Sequence, residues 1–294
     1  MLESNLRLRS FMYLPAHNKR FIDKAIVSCA DGLILDLEDG VPASKRKEAR
    51  DNIRTYCENG LFASRKNVFV RINPIDSEEF VDDISELIVE GIDGFMLSKI
   101  NDAEDIIFVD KLLTFWERKN GITKNKYKLA PLIETTKSVE NITLIASASS
   151  RLIALCLGGE DYLNDLGSVY TYQQSALAFP RAALVNAARA NGLLPIDTPF
   201  LDIKNTKGFK DIAKEAYKDG FAGTLILNPI QIEPANEAFS PDEDIVARSR
   251  RIIKAVEEAN ISGQSGVAML DGAMVGPPMR KRAENVLKQI GEDI

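Results

Sequence analysis

The 294-residue sequence predicts an α/β chain folded as a closed (β/α)8 barrel, with a C-terminal helical and arm-like extension. Two observations predict it. Short apolar runs alternate eight times with longer amphipathic stretches, and nearly every run ends on a polar residue. The runs are residues 11–15, 32–37, 68–73, 94–99, 128–134, 152–158, 194–199 and 223–229. Each is near-continuously apolar, as strands buried on both faces of a parallel sheet are. The stretches at 19–29, 44–58, 77–90, 103–119, 138–148, 176–191 and 208–218 carry helical spacing. Asn101 and Thr135 or Thr136 are the candidate N-caps among them. Eight strand–helix units in about 250 residues is the count of a closed parallel barrel. An open, doubly wound sheet is the alternative, and no G-x-G-x-x-G follows the first strand to support it.

The repeat ends near residue 240, so the barrel is assigned to 1–240 and the extension to 241–294. The extension reads as a helix over 242–260, a glycine-rich link at 263–266, a short strand or turn over 267–275 and a helix over 278–291. Such a segment can pack on its own barrel or on a neighbouring subunit. A net charge of -6 without a Lys/Arg block argues against nucleic acid and against a polybasic membrane anchor. No apolar run approaches the roughly 18 residues a spanning helix requires, and residues 1–10 lack the apolar stretch of a secretory signal. Cys29, Cys57 and Cys156 form no metal or redox spacing, so a cytoplasmic setting is expected, with Cys29 and Cys156 inert in apolar surroundings. With His17 the single histidine, zinc chemistry and a Ser-His-Asp triad are not expected.

The C-terminal strand ends form the active face of such a barrel. Those ends carry His17, Asp36-Leu37-Glu38-Asp39, Arg71, Asn73, Lys99, Glu134, Glu160-Asp161, Asp197 and Asn228. Carboxylates therefore outnumber cations, and oxygen ligands without imidazole or thiolate suit Mg²⁺, with Mn²⁺ possible. Glu134 and Asp161, on neighbouring strands, are the candidate metal ligands. Asp36 and Asp39 also read as structural ion-pair partners of Arg71 and Lys99, Glu160 as a solvated loop residue, and His17 as a packing residue.

Several of these segments line up with one family. Arg9-Ser10 with Leu14-Pro15-Ala16, Asp31 with Asp36-Leu37-Glu38-Asp39 and Val41, and Val70-Arg71-Ile72-Asn73 follow its order. So do Lys99-Ile100, Ile133-Glu134-Thr135, Gly158 with Asp161, Asp165 and Gly167, Asn228-Pro229 with Gln231-Ile232, and Asp271-Gly272. The chain thus resembles the citrate lyase β-subunit-like proteins of the HpcH/HpaI aldolase superfamily over essentially its whole length. Ser98 stands where that family commonly has proline, Asn228 where it commonly has histidine, and Ala273 where it has lysine.

The resemblance implies a TIM barrel that assembles as a homotrimer or hexamer and uses Mg²⁺. It implies cleavage of a 3-hydroxyacyl-CoA thioester of the citryl, citramalyl or malyl type through an enolate. An aldolase or thioesterase on the same site, or a non-catalytic barrel subunit, are the alternatives. On this reading Arg71, Asp271, Glu38 and Asp39 are catalytic, and Arg71, Lys99 and Asn228 bind substrate. Glu134 and Asp161 hold the metal, and Asp271 supplies a proton, from a neighbouring subunit if the arm crosses.

Overall fold

The computed structural model describes residues 6–65, 67–169, 175–261 and 266–292. The chain divides into two compact units, Met1–Phe239 and Ser240–Ile294. In the first, β1 (Ser10–Pro15), β2 (Gly32–Asp36), β3 (Val68–Ile72), β4 (Gly94–Leu97), β5 (Lys128–Ile133), β6 (Ala154–Leu157), β7 (Leu194–Asp197) and β8 (Gly223–Ile226) pair in sequence order. All the pairings are parallel, and β1 closes on β8, making a TIM barrel. Around it run α1 (Lys19–Ile26), α2 (Arg46–Glu58), α3 (Phe80–Glu86), α4 (Ala103–Lys119), α5 (Thr136–Glu140), α6 (Ile142–Ser147), α7 (Gly159–Asp165), α8 (Ala178–Ala190), α9 (Thr206–Asp219) and α10 (Ile232–Ala238).

Alternation along each strand divides the core in two. Phe11, Ile34, Phe69, Met96, Leu132, Cys156, Ile196 and Leu225 pack together inside the barrel. The intervening residues, among them Leu33, Leu35, Val68, Val70, Leu155 and Leu157, pack outward with the helices. Counting in twos along the inner face places Asp36, Arg71, Glu134 and Gly158 at its C-terminal rim. The register supports this, with Pro15 opposite Asp36, Asp36 opposite Arg71 and Arg71 opposite Met96.

Ion pairs hold the barrel at both ends. At the N-terminal end Arg9 grips Asp31 through Nε (2.7 Å) and Nη2 (2.9 Å). Arg151, fully buried before β6, meets Glu117 through both Nη atoms (2.7 Å each) and Asp110 through Nε (2.6 Å). Near the opposite rim Arg50 joins Glu79 and Asp83, and Asp83 accepts from the Asn73 backbone and side chain. The Arg9-Ser10 and Asp31 positions of the family-like segments are thus tied up in structural contacts.

Several expectations are corrected. Asp197, one residue past inward-facing Ile196, points outward and pairs with Arg181 of α8 at 3.0 Å, so it is not part of the acidic rim. The N-cap of α4 is Asp102, because Asp102 and Asp105 exchange side-chain-to-backbone hydrogen bonds. Thr135 does cap α5. The helix expected over 138–148 breaks at Asn141, and α7 and α10 were too short to show a period. Cys29 is exposed, since α1 ends at Ile26 and the chain turns over the surface before β2.

The second unit contains α11 (Glu243–Ile261), the antiparallel pair β9 (Ala268–Leu270) and β10 (Ala273–Val275), and α12 (Pro277–Gln289). Val246, Ile253, Ala283 and Leu287 pack between its helices. Asp271 and Gly272 form the two-residue hairpin turn, both with positive φ (51° and 77°). That pattern is the reason Asp-Gly occurs at such turns. Residues 263–265 of the expected glycine-rich link lie outside the described residues.

Candidate active site

The rim is organised around Asp36. Its Oδ1 accepts from the Glu38 N–H (3.0 Å) and its Oδ2 from the Gly40 N–H (2.9 Å), folding the strand-end turn onto the carboxylate. A Cβ at Gly40 would fall 2.4 Å from Asp36 Oδ2, so this turn requires glycine. The same carboxylate takes both Nε (2.6 Å) and Nη2 (2.8 Å) of Arg71. Nη1 of Arg71 lies 2.8 Å from Glu38 Oε2, and the guanidinium rests over the Tyr13 ring, 4.8 Å from its centroid. The buried Tyr13 hydroxyl donates to Met96 Sδ (3.1 Å). Burial opposes the Arg71 charge, yet Asp36, Tyr13 and Glu38 hold it well above its ordinary value.

Glu38 and Glu134 are each only 3 % exposed, so both carboxyls are removed from water. Burial pushes the Glu38 carboxyl up, while Arg71 and Lys99 pull it back. Lys99 Nζ stands 3.6 Å from Glu38 Oε1, an atom without a hydrogen bond. For Glu134 burial dominates and the carboxyl is pushed up to about 8, with Glu38 and Asp161 adding negative charge nearby. Its one direct donor is the Lys99 backbone N–H, which meets Oε1. Gly158 gives the carboxylate room: a Cβ there would lie 2.5 Å from Glu134 Cβ and 2.6 Å from Oε2. The next residue, Gly159, donates to Thr198 Oγ1 (2.9 Å) and starts α7, whose first turn carries half-buried Asp161.

The expected residues therefore separate. Arg71, Glu38, Lys99, Glu134 and Asp161 share the rim, and exposed Asp39 acts electrostatically on Glu38 and Lys99. Asp36 is the structural partner of Arg71. Asn228 Oδ1 caps a short turn at Pro229–Gln231, accepting from the Ile230 N–H (3.1 Å). Asp271 belongs to the second unit, exposed and paired with Arg251. Tyr13 and Gly40 carry no expectation from the sequence, and Gly158 only that of a motif position. Tyr13 was accessible, because it lies two residues after inward-facing Phe11. The role of Gly158 was not, because it depends on Glu134, distant in sequence, and that of Gly40 depends on how the strand-end turn folds onto Asp36.

The donor set fits a hard divalent cation. A buried carboxylate with no basic side chain paired to it, beside a second carboxylate and an unbonded Glu38 oxygen, carries an uncompensated desolvation cost. Among the described residues no three His, Cys, Asp or Glu side chains converge into an all-protein cage. Mg²⁺ typically takes one or two carboxylates and keeps water or substrate in its other positions.

Comparison with known proteins shows the family. Residues 9–229 match the family described as HpcH/HpaI aldolase/citrate lyase. The chain is 32% identical over 281 residues to the citrate lyase subunit beta of Haemophilus influenzae, covering 96% of each. It is 31% identical over 301 residues to the L-malyl-CoA/beta-methylmalyl-CoA lyase of Cereibacter sphaeroides, covering 96% of this chain and 94% of that one. The CitE protein of Mycobacterium tuberculosis, solved with magnesium, acetoacetate and coenzyme A, superposes with a TM-score of 0.80 at 25% identity, over 99% of this chain and all of that one. A citrate lyase beta subunit from Mycobacterium tuberculosis, solved with oxaloacetate and magnesium, gives a TM-score of 0.67 at 25% identity, over 81% of this chain and 99% of that one. The chain therefore belongs to the HpcH/HpaI aldolase/citrate lyase family, and the curated relatives it resembles over nearly its full length are lyases.

Proposed function

We propose that the protein is a Mg²⁺-dependent carbon–carbon lyase that cleaves a 3-hydroxyacyl thioester of coenzyme A, of the citryl, citramalyl or malyl type, through an enolate. The observation that carries this reading is the pairing, on one barrel rim, of a buried carboxylate lacking a cationic partner, Glu134, with a rigidly held guanidinium, Arg71. Glu134 and Asp161 would hold the metal, which supplies Lewis acidity toward a substrate oxygen. In the cleavage direction the bond between the hydroxyl-bearing carbon and the thioester α-carbon breaks, and its electron pair becomes the enolate. Arg71 binds a substrate carboxylate or the enolate oxygen with the N–H groups that Asp36 and Glu38 leave available. Glu38, with Oε1 free of hydrogen bonds and Asp39 beside it, is the carboxylate available to take the substrate hydroxyl proton. Asp271, from a neighbouring subunit of a homotrimer or hexamer, returns a proton to the α-carbon. A cytoplasmic location suits the three unpaired thiols.

Incubating the protein with citryl-, citramalyl- and malyl-CoA, with Mg²⁺ or EDTA, tests the assignment. The expected result is Mg²⁺-dependent release of an acyl-CoA and a keto acid from at least one of them. Release of free coenzyme A alone would replace lyase with thioesterase. No turnover in the presence of bound Mg²⁺ would reject the enzymatic reading for these substrates.

A further inference from the structure

Lys99 is one of four non-glycine residues with positive φ (52°) among the described residues. The left-handed conformation is strained for an L-residue, and glycine avoids that strain. A lysine held there therefore indicates work for both its backbone and its side chain. The backbone contribution is visible, since this turn aims the Lys99 N–H at Glu134 Oε1. The side chain sits in a negative field. Its ammonium is 3.6 Å from Glu38 Oε1 and within electrostatic reach of Asp39, Asp161 and Glu134. Arg71, the other cation of the rim, is already committed to Asp36 and Glu38. With its side chain 44% exposed, Lys99 is free to swing out to solvent, unlike Arg71.

We infer that the Lys99 ammonium is a stand-in cation, neutralising the carboxylate rim when no metal is bound and yielding when a divalent ion enters. This rests on the metal site proposed above and concerns what opposes metal entry, rather than what holds the metal. Metal binding then has to displace a positive charge from the same field, so the lysine weakens the site for Mg²⁺ while stabilising the metal-free protein.

The test uses Lys99→Met, which keeps a long stem without charge, Lys99→Gly, which also relieves the backbone, and Lys99→Arg, which keeps the charge. Mg²⁺ affinity is read by titration calorimetry without substrate, and thermal midpoints are read in EDTA and in Mg²⁺. Lys99→Met and Lys99→Gly are expected to bind Mg²⁺ about tenfold more tightly, a gain of about 1.4 kcal/mol. The Lys99→Met midpoint in EDTA should fall, and for both variants the shift on adding Mg²⁺ should grow. Lys99→Arg should stay within about threefold of the wild type, a difference below about 0.7 kcal/mol. Unchanged or weaker Mg²⁺ binding by folded Lys99→Met and Lys99→Gly, beside normal wild-type binding, overturns the stand-in role and leaves the metal site intact. Absence of Mg²⁺ binding by the wild-type protein overturns the metal site, and this inference with it.

Discussion

Glu134 is costly to the fold, and the proposed metal site is what would make it worth keeping. Its carboxyl is buried beside other carboxylates and receives only a backbone N–H, so the metal-free protein gains nothing from its charge. Glu134→Ala and Asp161→Ala should therefore abolish Mg²⁺-dependent turnover while leaving the unfolding midpoint in EDTA unlowered. Near-normal turnover by either variant, assayed by keto-acid release, would remove it from the metal site. Arg71 differs, because its geometry matters more than its charge. Three of its nitrogens are engaged, and an ammonium cannot reproduce the planar fork that Asp36 accepts. Arg71→Lys should lower kcat/KM at least about tenfold, or about 1.4 kcal/mol of transition-state stabilisation. A loss below about threefold would count against that role. The acidic composition of the rim was readable from strand ends alone. The Asp36–Arg71 ion pair was readable as well, but not that Glu38 rather than Asp39 is the second carboxylate on Arg71 and the one beside Lys99.

At the scale of elements, all eight strands begin within a residue or two of where apolar runs begin, because burial on both faces leaves little choice of residue. Their C-terminal ends are less legible, since polar residues continue the chain without continuing the pairing. Asp197 is the case in point. It follows Ile196 in an apolar run, and only the alternation about Ile196 shows that it faces α8 and Arg181. Burial raises its carboxyl to about 6, from an ordinary 3.8, even against the pull of Arg181. The folded state thus binds a proton more strongly than the unfolded chain does. That contribution to stability is complete below the unfolded value and is lost as pH rises through about 6. Asp197→Asn should flatten the pH dependence of the unfolding free energy between about pH 4 and 6, by up to one proton. Urea titrations at several pH values would show it, and an unaltered slope would mean the carboxyl stays ionised throughout. The short helices α7 and α10 escaped the sequence for the opposite reason, since seven residues are too few for a helical period to stand out.

For the whole molecule, the open question is where the proton donor comes from. Asp271 sits at an exposed hairpin turn held by Arg251, with Met269 and Met274 exposed on the flanking strands. Asp271 is exposed in the single chain, because a two-residue turn projects its residues outward. If a neighbour's barrel receives the hairpin, Asp271→Ala and Arg71→Ala proteins should each be inactive, and oligomers reassembled from both should regain part of the activity. Proven subunit exchange without recovery, or a monomer at assay concentration by light scattering, would rule out a shared site. The closed barrel adds a constraint of its own. A ring of eight strands offers no free edge, so no backbone N–H or C=O row on it can template a strand from another chain. Among the described residues only β9 and β10, three residues each, have open edges. Among the described residues, self-association by strand addition, whether a working assembly or the first step of aggregation, is therefore confined to that hairpin. Blunting its edges with proline would probe that route without disturbing the barrel.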